Sequence, residues 1–89
     1  MRVAIPDCVF AERVGDETVL LELQSGQYFG LNPVGTRLWQ LLGETGDTTR
    51  VLELMVQEYD VELERLTRDL DALVGTLVER RLLVLVPER

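Results

Sequence analysis

Histidine is absent from the 89-residue sequence, and cysteine occurs once, at Cys8. A single cysteine cannot form an internal disulfide or a cysteine-based metal cluster. Without histidine, the chain also lacks the commonest zinc ligand and the usual general base. Cys8 precedes the apolar residues Val9 and Phe10, which is typical of a small buried strand residue and not of a nucleophile. We therefore expect no metal and no cofactor.

Glycine motifs that bind phosphate are also absent, and the paired carboxylates are poorly spaced for acid–base catalysis. Asp69 and Asp71 are two residues apart on a predicted helix, as are Glu62 and Glu64, so the members of each pair point to different sides. Such side chains are typical of a solvated surface. No catalytic residue is predicted, and we expect the chain not to be an enzyme.

Basic residues are few: 9 Lys and Arg stand against 16 Asp and Glu, for a net charge of −7. This balance disfavours nucleic acid as a partner, and it fits either solubility or a partner with basic segments. No apolar run approaches the ~20 residues of a membrane span, and no signal-peptide core follows Arg2. The sequence thus predicts a cytoplasmic protein without membrane association. Its length and 46% hydrophobic content favour one domain over residues 1–89.

The first third of the chain has the pattern of three short strands. Residues 8–14, 18–23 and 27–31 are β-biased, and the turn residues Gly15-Asp16 and Ser25-Gly26 separate them. Connections this short favour an antiparallel meander. The third strand would then pair only with the second, which leaves one edge of the sheet open.

A two-residue loop at Ser25-Gly26 would place Leu23 opposite Tyr28 and Leu20 opposite Leu31. Both faces of the resulting sheet carry apolar residues, whereas a half-solvated antiparallel sheet alternates cleanly. One face is expected to cover the helices, and the other needs cover from the chain termini or from a partner. The two sets are Val19, Leu21, Leu23 and Tyr28 on one face, and Leu20, Phe29 and Leu31 on the other.

Three helices are predicted after the strands. Asn32-Pro33 is a strong helix start, and Gly43 or Gly46 is a suitable stop, with Trp39 as a core anchor. A second helix follows a cap at Asp47 or Thr48 and runs to about residue 59. A third runs from a cap at Asp60 to about residue 80, with Leu66, Leu70, Leu73 and Leu77 in line. Residues 82–86 can add a strand. The expected fold is α+β and winged helix-turn-helix-like: a three-stranded antiparallel sheet followed by three helices.

The run Gln27-Tyr28-Phe29-Gly30-Leu31-Asn32-Pro33-Val34-Gly35, with residues 19–23 before it, resembles the signature of the PqqD-like family. Residues 38–42, 58–61 and 81–83 extend the similarity, so it covers nearly the whole chain. One departure is Arg81, where the family often has glycine. That difference concerns how the third helix ends.

This resemblance implies a recognition element for ribosomally synthesised and modified peptides, which binds the leader segment of a precursor peptide. In the family, the leader adds as a strand to the third strand and lies in a groove against the third helix. A free-standing copy is similar to the recognition protein of lasso peptide biosynthesis, which hands the precursor to a leader peptidase. The alternative is the pyrroloquinoline quinone accessory protein, which presents its precursor to a radical-SAM enzyme.

The predicted peptide-binding residues follow from the open edge and from one flank of the third helix. Gly30 lacks a Cβ and would let a peptide approach closely, and Ala72 leaves room on the helix. Asp69 or Arg65 would meet polar leader groups, and Leu73 would serve both core and groove. The complete set is Gln27, Tyr28, Phe29, Gly30, Leu31, Arg65, Asp69, Ala72, Leu73 and Thr76.

Two other classes of function remain open at this point. A winged-helix DNA-binding module has a compatible order of elements, although the third helix mixes acidic with basic residues. An oligomerisation module would pair through the same strand edge, and the protein is expected to be a monomer or a weak dimer.

Overall fold

The structure is a computed structural model that describes residues 1–87. Over that range the chain forms β1 (Arg2–Ala4), β2 (Val9–Val14), β3 (Glu17–Glu22), β4 (Gln27–Leu31), α1 (Pro33–Thr45), α2 (Thr48–Glu58), α3 (Leu63–Glu79) and β5 (Val84–Val86). The antiparallel meander β2-β3-β4 followed by three helices confirms the predicted α+β fold.

The register of β3 and β4 differs from the predicted one. Leu21, not Leu23, lies opposite Tyr28, and Thr18, not Leu20, lies opposite Leu31. The reason is a four-residue loop, 23–26, in place of a two-residue turn. Glu22 organises this loop: its carbonyl accepts from Gly26 N at 2.8 Å, and its buried carboxylate accepts from further loop amides.

A shift of two residues leaves every side chain on its predicted face, because side chains alternate with period two. Leu20 and Leu31 are buried on the inner face, under the helices, and Phe29 is half-buried beside them. On the outer face, Tyr28 is 68% exposed and Phe10 is 58% exposed. The terminal segments that the structure describes, up to residue 87, therefore do not cover the outer face.

The boundaries of α1 and α2 confirm the predicted caps. Asn32 Oδ1 accepts from Gly35 N at 2.7 Å, Pro33 takes the first turn, and Gly46 closes α1 in the left-handed region at φ 66°. Asp47 Oδ1 accepts from Thr49 N at 3.0 Å at the start of α2. These caps satisfy amides that a helix leaves without intrahelical partners.

The start of α3 was predicted wrongly. The helix begins at Leu63, and Asp60 lies in an extended link from Tyr59 to Glu62. The link must carry the chain away from α2, and β-branched Val61 favours extended backbone. No side chain caps α3, although Glu62 O accepts the first helical amide from Leu66 at 3.0 Å.

The core lies between the inner face of the sheet and the apolar stripes of the helices. Trp39 is buried, as expected, and α3 contributes Leu66, Leu70 and Leu77 from the predicted stripe. The fourth buried position is Val74, whereas Leu73 is half-buried and packs against the edge of the core. The α3 stripe is thus rotated away from the flank that bears Asp69.

The predicted C-terminal strand forms, as β5, but it does not join the meander. It pairs with β1 in a separate two-stranded antiparallel sheet, in which Val3 lies opposite Leu85. Val3 is buried, and its amide donates to Gly46 O at 2.9 Å, so this sheet rests on the α1–α2 junction. The strand at Arg2–Ala4 was not predicted. Its three residues give too short a pattern.

Candidate functional site

β4 is an edge strand: within residues 1–87 its only strand partner is β3. The register shows which of its backbone groups point outward. Val14 and Glu17 flank the two-residue turn at Gly15-Asp16, so they exchange backbone hydrogen bonds. Along an antiparallel ladder, such hydrogen-bonded pairs alternate with pairs that are not hydrogen-bonded. The bond from Leu23 N to Cys8 O, 2.9 Å long, continues the same alternation.

This alternation directs the backbone groups of Thr18, Leu20 and Glu22 toward β4. Their partners on β4, namely Leu31, Phe29 and Gln27, use their own backbone groups in that ladder. The N–H and C=O groups of Tyr28 and Gly30 therefore point away from the sheet. These two residues form the open edge.

The two edges of the meander differ in protection. β2 carries Glu12 and Arg13, whose charges discourage pairing with another strand. β4 has the sequence QYFGL, with no charge and no proline. Gly30 has open space where a Cβ would lie, and no left-handed backbone requires glycine there. The chain's own packing thus does not explain the glycine, whereas close approach by another backbone does.

Two adjoining cavities continue from the C-terminal end of β4. The first, which we call the groove, has a volume of about 320 Å³ and is lined by Asn32, Val34, Gly35, Leu38, Asp69 and Leu73. The second, which we call the acidic cleft, has a volume of about 410 Å³ and is lined by Val34, Asp60, Val61, Glu62, Arg65, Leu66 and Asp69. Val34 and Asp69 line both, so the cavities form one continuous depression between α1 and α3.

Two side-chain contacts join the elements around this region. The Arg80 guanidinium lies 5.3 Å from the centre of the Phe29 ring, which joins the end of α3 to β4. Arg37 forms a two-pronged ion pair with Glu58, with Nε 2.8 Å from Oε2, which joins α1 to the end of α2. This pairing raises the pKa of Arg37 and lowers that of Glu58. Glu58 is the last residue of α2, so this ion pair lies directly before the link at Tyr59–Glu62.

The predicted site residues lie in two groups. Gln27 to Leu31 form the edge strand. On α3, Arg65, Asp69 and Leu73 line the depression. Ala72 and Thr76 lie on the same flank but line neither cavity, and Thr76 Oγ1 donates to Ala72 O at 3.0 Å.

Sequence reasoning missed the α1 side and the link that precedes α3. Val34 and Val61 are exposed by 44% and 43%, and both line the acidic cleft. Val34 fits the apolar spacing of the first helix, which predicts a core position and not a site, and Val61 lies in a link too short to carry a periodic signal. Both valines lie in segments that resemble the family, Val34 in the run 27–35 and Val61 in residues 58–61, and that resemblance was the available indication.

Cys8 and Glu22 form a separate polar contact below the 23–26 loop. The Glu22 carboxylate accepts a hydrogen bond from the Cys8 thiol and raises its pKa, which makes the thiol a poor nucleophile. Within residues 1–87, no group of three or more Cys, Asp or Glu side chains is arranged so that it could hold a metal ion. None of the helices in that range combines the length and apolar character needed to cross a bilayer.

Comparisons with known proteins match the sequence and the fold of this chain. The family described as coenzyme PQQ synthesis protein D (PqqD) matches residues 17–83. The solved structure of TbiB1 in complex with the TbiA(beta) leader peptide is 36% identical, covers 96% of this chain and 99% of its own, and superposes with a TM-score of 0.87. A lasso peptide synthetase B1 complexed with the leader peptide is 26% identical, covers 96% of this chain and 100% of its own, and has a TM-score of 0.84. No curated protein sequence matches the chain.

Proposed function

The chain belongs to the PqqD family, and we propose that it is a non-catalytic receptor for the leader segment of a ribosomally made precursor peptide. Residues 1–89 act as one recognition domain. The two similar structures, matched over nearly their whole length, are both complexes with a leader peptide, and one of them is described as a lasso peptide synthetase B1. This similarity favours the lasso type over the pyrroloquinoline quinone pathway.

The observation that carries the proposal is the open edge at Tyr28 and Gly30. An extended leader completes the sheet as a further strand by bonding to these two residues. Because every pair in the meander is antiparallel, the leader runs antiparallel to β4, with its N-terminal end near Leu31. Asp69 and Leu73 then border its inward-facing side chains.

The energetics suit capture without catalysis. Each backbone bond contributes about 0.5–1.5 kcal/mol and is independent of sequence, so specificity depends on side chains in the depression. One buried apolar anchor adds about 1.5–3 kcal/mol. The sum of these contributions, after subtraction of the cost of ordering the leader, corresponds to a dissociation constant on the order of a micromolar or tighter.

The captured leader brings the precursor to a leader peptidase or another modifying enzyme. Tethering raises the effective concentration of the cleavage or modification site near that enzyme, so the receptor needs neither a cofactor nor a catalytic residue. The setting is the cytoplasm, where precursor peptides are made. DNA binding is not favoured, because α3 presents Asp69 and Asp71 beside its arginines and the chain has a net charge of −7.

Gly30→Pro tests the proposal. Proline removes the outward N–H of residue 30, a loss that an edge strand tolerates, and its ring obstructs the incoming carbonyl. We expect the variant to keep its circular dichroism spectrum and to bind the TbiA(beta) leader peptide at least about tenfold more weakly by calorimetry.

Gly30→Ala is the matched control, because it keeps the N–H group and its Cβ meets open space in the free protein. We expect it to bind better than Gly30→Pro. Phe29→Pro removes a bond from β4 to β3 and is expected to disturb the fold itself. A folded Gly30→Pro variant that binds the leader like the wild type would rule out strand addition at this edge.

A further inference from the structure

The acidic cleft has an unbalanced lining. Asp60, Glu62 and Asp69 contribute three carboxylates, against the single guanidinium of Arg65. The described ion pairs join Arg37 to Glu58 and Arg50 to Glu53, and both lie outside the cleft. A cleft with this charge favours a cationic occupant, as does the net charge of −7 on the whole chain.

The same cleft has apolar walls. Val34 and Val61 are large apolar residues left exposed, and Leu66 closes the floor. Two exposed valines beside a cavity bind an apolar side chain favourably, since covering them removes apolar surface from water. The cleft thus suits a segment in which an apolar and a basic residue are neighbours.

The position of the cleft identifies that segment. The groove begins at Asn32, directly after the last residue of β4, and the acidic cleft adjoins the groove through Val34 and Asp69. A leader antiparallel to β4 enters along this depression before it reaches Gly30. The occupant of the cleft is therefore the part of the leader that precedes its strand.

We propose that the acidic cleft binds the leader residues N-terminal to the added strand, with an apolar side chain against Val34 and Val61 and a neighbouring Lys or Arg against Asp60, Glu62 and Asp69. This inference rests on antiparallel strand addition at β4. It adds a subsite that distinguishes leaders by charge, which backbone pairing alone does not provide.

A selection from a random peptide library on the full chain tests the inference without a known leader. The expected peptides contain an alternating apolar stretch that pairs with β4, preceded on its N-terminal side by a basic and an apolar residue. The same selection against the double variant Asp60→Asn/Glu62→Gln should give peptides that keep the alternating apolar stretch but lack the basic residue. The control Glu12→Gln/Asp16→Asn removes the same charge at the opposite edge of the sheet, and its peptides should match those of the wild type.

Calorimetry then measures the subsite directly. For a selected peptide, replacing the basic residue by Gln should weaken binding to the wild type by about three- to tenfold at low salt, which is the scale of one or two exposed ion pairs. The same replacement should change binding to Asp60→Asn/Glu62→Gln by less than about twofold, and high salt should reduce the difference for the wild type.

The outcomes separate this inference from the proposed function. Peptides with no basic preference, or with a preference that survives Asp60→Asn/Glu62→Gln, would overturn the subsite and leave strand capture intact. A basic residue on the C-terminal side would overturn the direction. A selection that yields no peptide would overturn the proposed function and the inference together. A size measurement that shows a dimer with the cleft buried between two copies of the chain would do the same.

Discussion

Arg81 holds a backbone conformation that favours glycine. Its φ is 63°, in the left-handed region, and it follows the C-cap residue Arg80. Leu82 N donates to Leu77 O at 2.8 Å, and Arg81 N donates to Val78 O at 3.1 Å. These two bonds form a Schellman motif, whose left-handed residue is usually glycine. The family's preference for glycine at this position thus has a backbone cause.

Arg81→Gly is therefore expected to stabilise the protein. Relief of the left-handed strain, partly offset by the greater freedom of glycine in the unfolded chain, gives a gain of about 0.5–1 kcal/mol in the free energy of unfolding. Urea denaturation measures the difference. Arg80→Gly is the control: its φ is −91° and its side chain covers Phe29, so it should destabilise. A loss of stability in Arg81→Gly would refute this explanation.

Glu22 is a buried carboxylate that the fold uses to shape a loop. It accepts a hydrogen bond from the Ser25 hydroxyl, and it accepts from Gln24 N and Ser25 N, each at 2.8 Å. These bonds lower the pKa of Glu22 from 4.5 to about 2, and the bond from the Ser25 hydroxyl has the largest effect. Burial acts in the opposite direction. The charged form of Glu22 therefore stabilises the folded state.

A lowered pKa in the folded protein predicts a definite pH dependence. The stability that Glu22 contributes is complete above pH 4.5 and is lost as the pH falls toward 2, because the unfolded chain takes up the proton first. Glu22→Gln should lower stability at pH 7 and reduce the fall between pH 4.5 and 2 in urea titrations. Glu12→Gln, on the exposed face of β2, is the control. An unchanged acid profile in Glu22→Gln would contradict this role.

At the scale of elements, α3 has one flank in the core and one beside the depression. Val74 lies on the buried flank, whereas Asp69 lines both the groove and the acidic cleft. Asp71 is also exposed, but it lies around the helix from Asp69, on the side away from the depression. This pair of aspartates therefore offers a matched comparison.

Asp69→Arg and Asp71→Arg make the same change two residues apart. Asp69→Arg should weaken binding of the TbiA(beta) leader peptide by about tenfold, because it places a long cation in the depression, whereas Asp71→Arg should stay within about twofold. Both should keep the free energy of unfolding within about 0.5 kcal/mol of the wild type. Equal losses of affinity would show that the leader does not use this flank.

The elements that sequence predicts well are those with local signals. The N-terminal caps at Asn32 and Asp47 and the stop at Gly46 define α1 and the start of α2, because each depends on residues within one turn. The predicted start of α3 was wrong because Asp60 has a capping side chain but lies in a link whose path is set by tertiary packing. The length of the 23–26 loop was predicted wrongly for a similar reason. No sequence pattern indicates that Glu22 is buried and accepts hydrogen bonds from the residues that follow it.

At the scale of the whole molecule, the candidate site is assembled from parts that are distant in the chain. The edge strand and α3 were both predicted, the strand from its alternation and its short connections and the helix from its stripe. The shared wall at Val34 and the link at Val61 were not, because their proximity to Asp69 depends on how α1 and α3 pack. Composition indicates only the overall charge of the chain, whereas the packing of α1 against α3 brings the parts of the candidate site together.

At the scale of the whole molecule, the proposed function requires that the edge of β4 is open in the free protein and paired in the complex. Amide hydrogen exchange by NMR tests this requirement most directly. In the free, dilute protein the amides of Tyr28 and Gly30 should exchange rapidly, whereas those of Gln27, Phe29 and Leu31 should be protected by β3. Saturation with the TbiA(beta) leader peptide should protect Tyr28 and Gly30 as well. Protection of these two amides before the leader is added, or rapid exchange after saturation, would contradict the account.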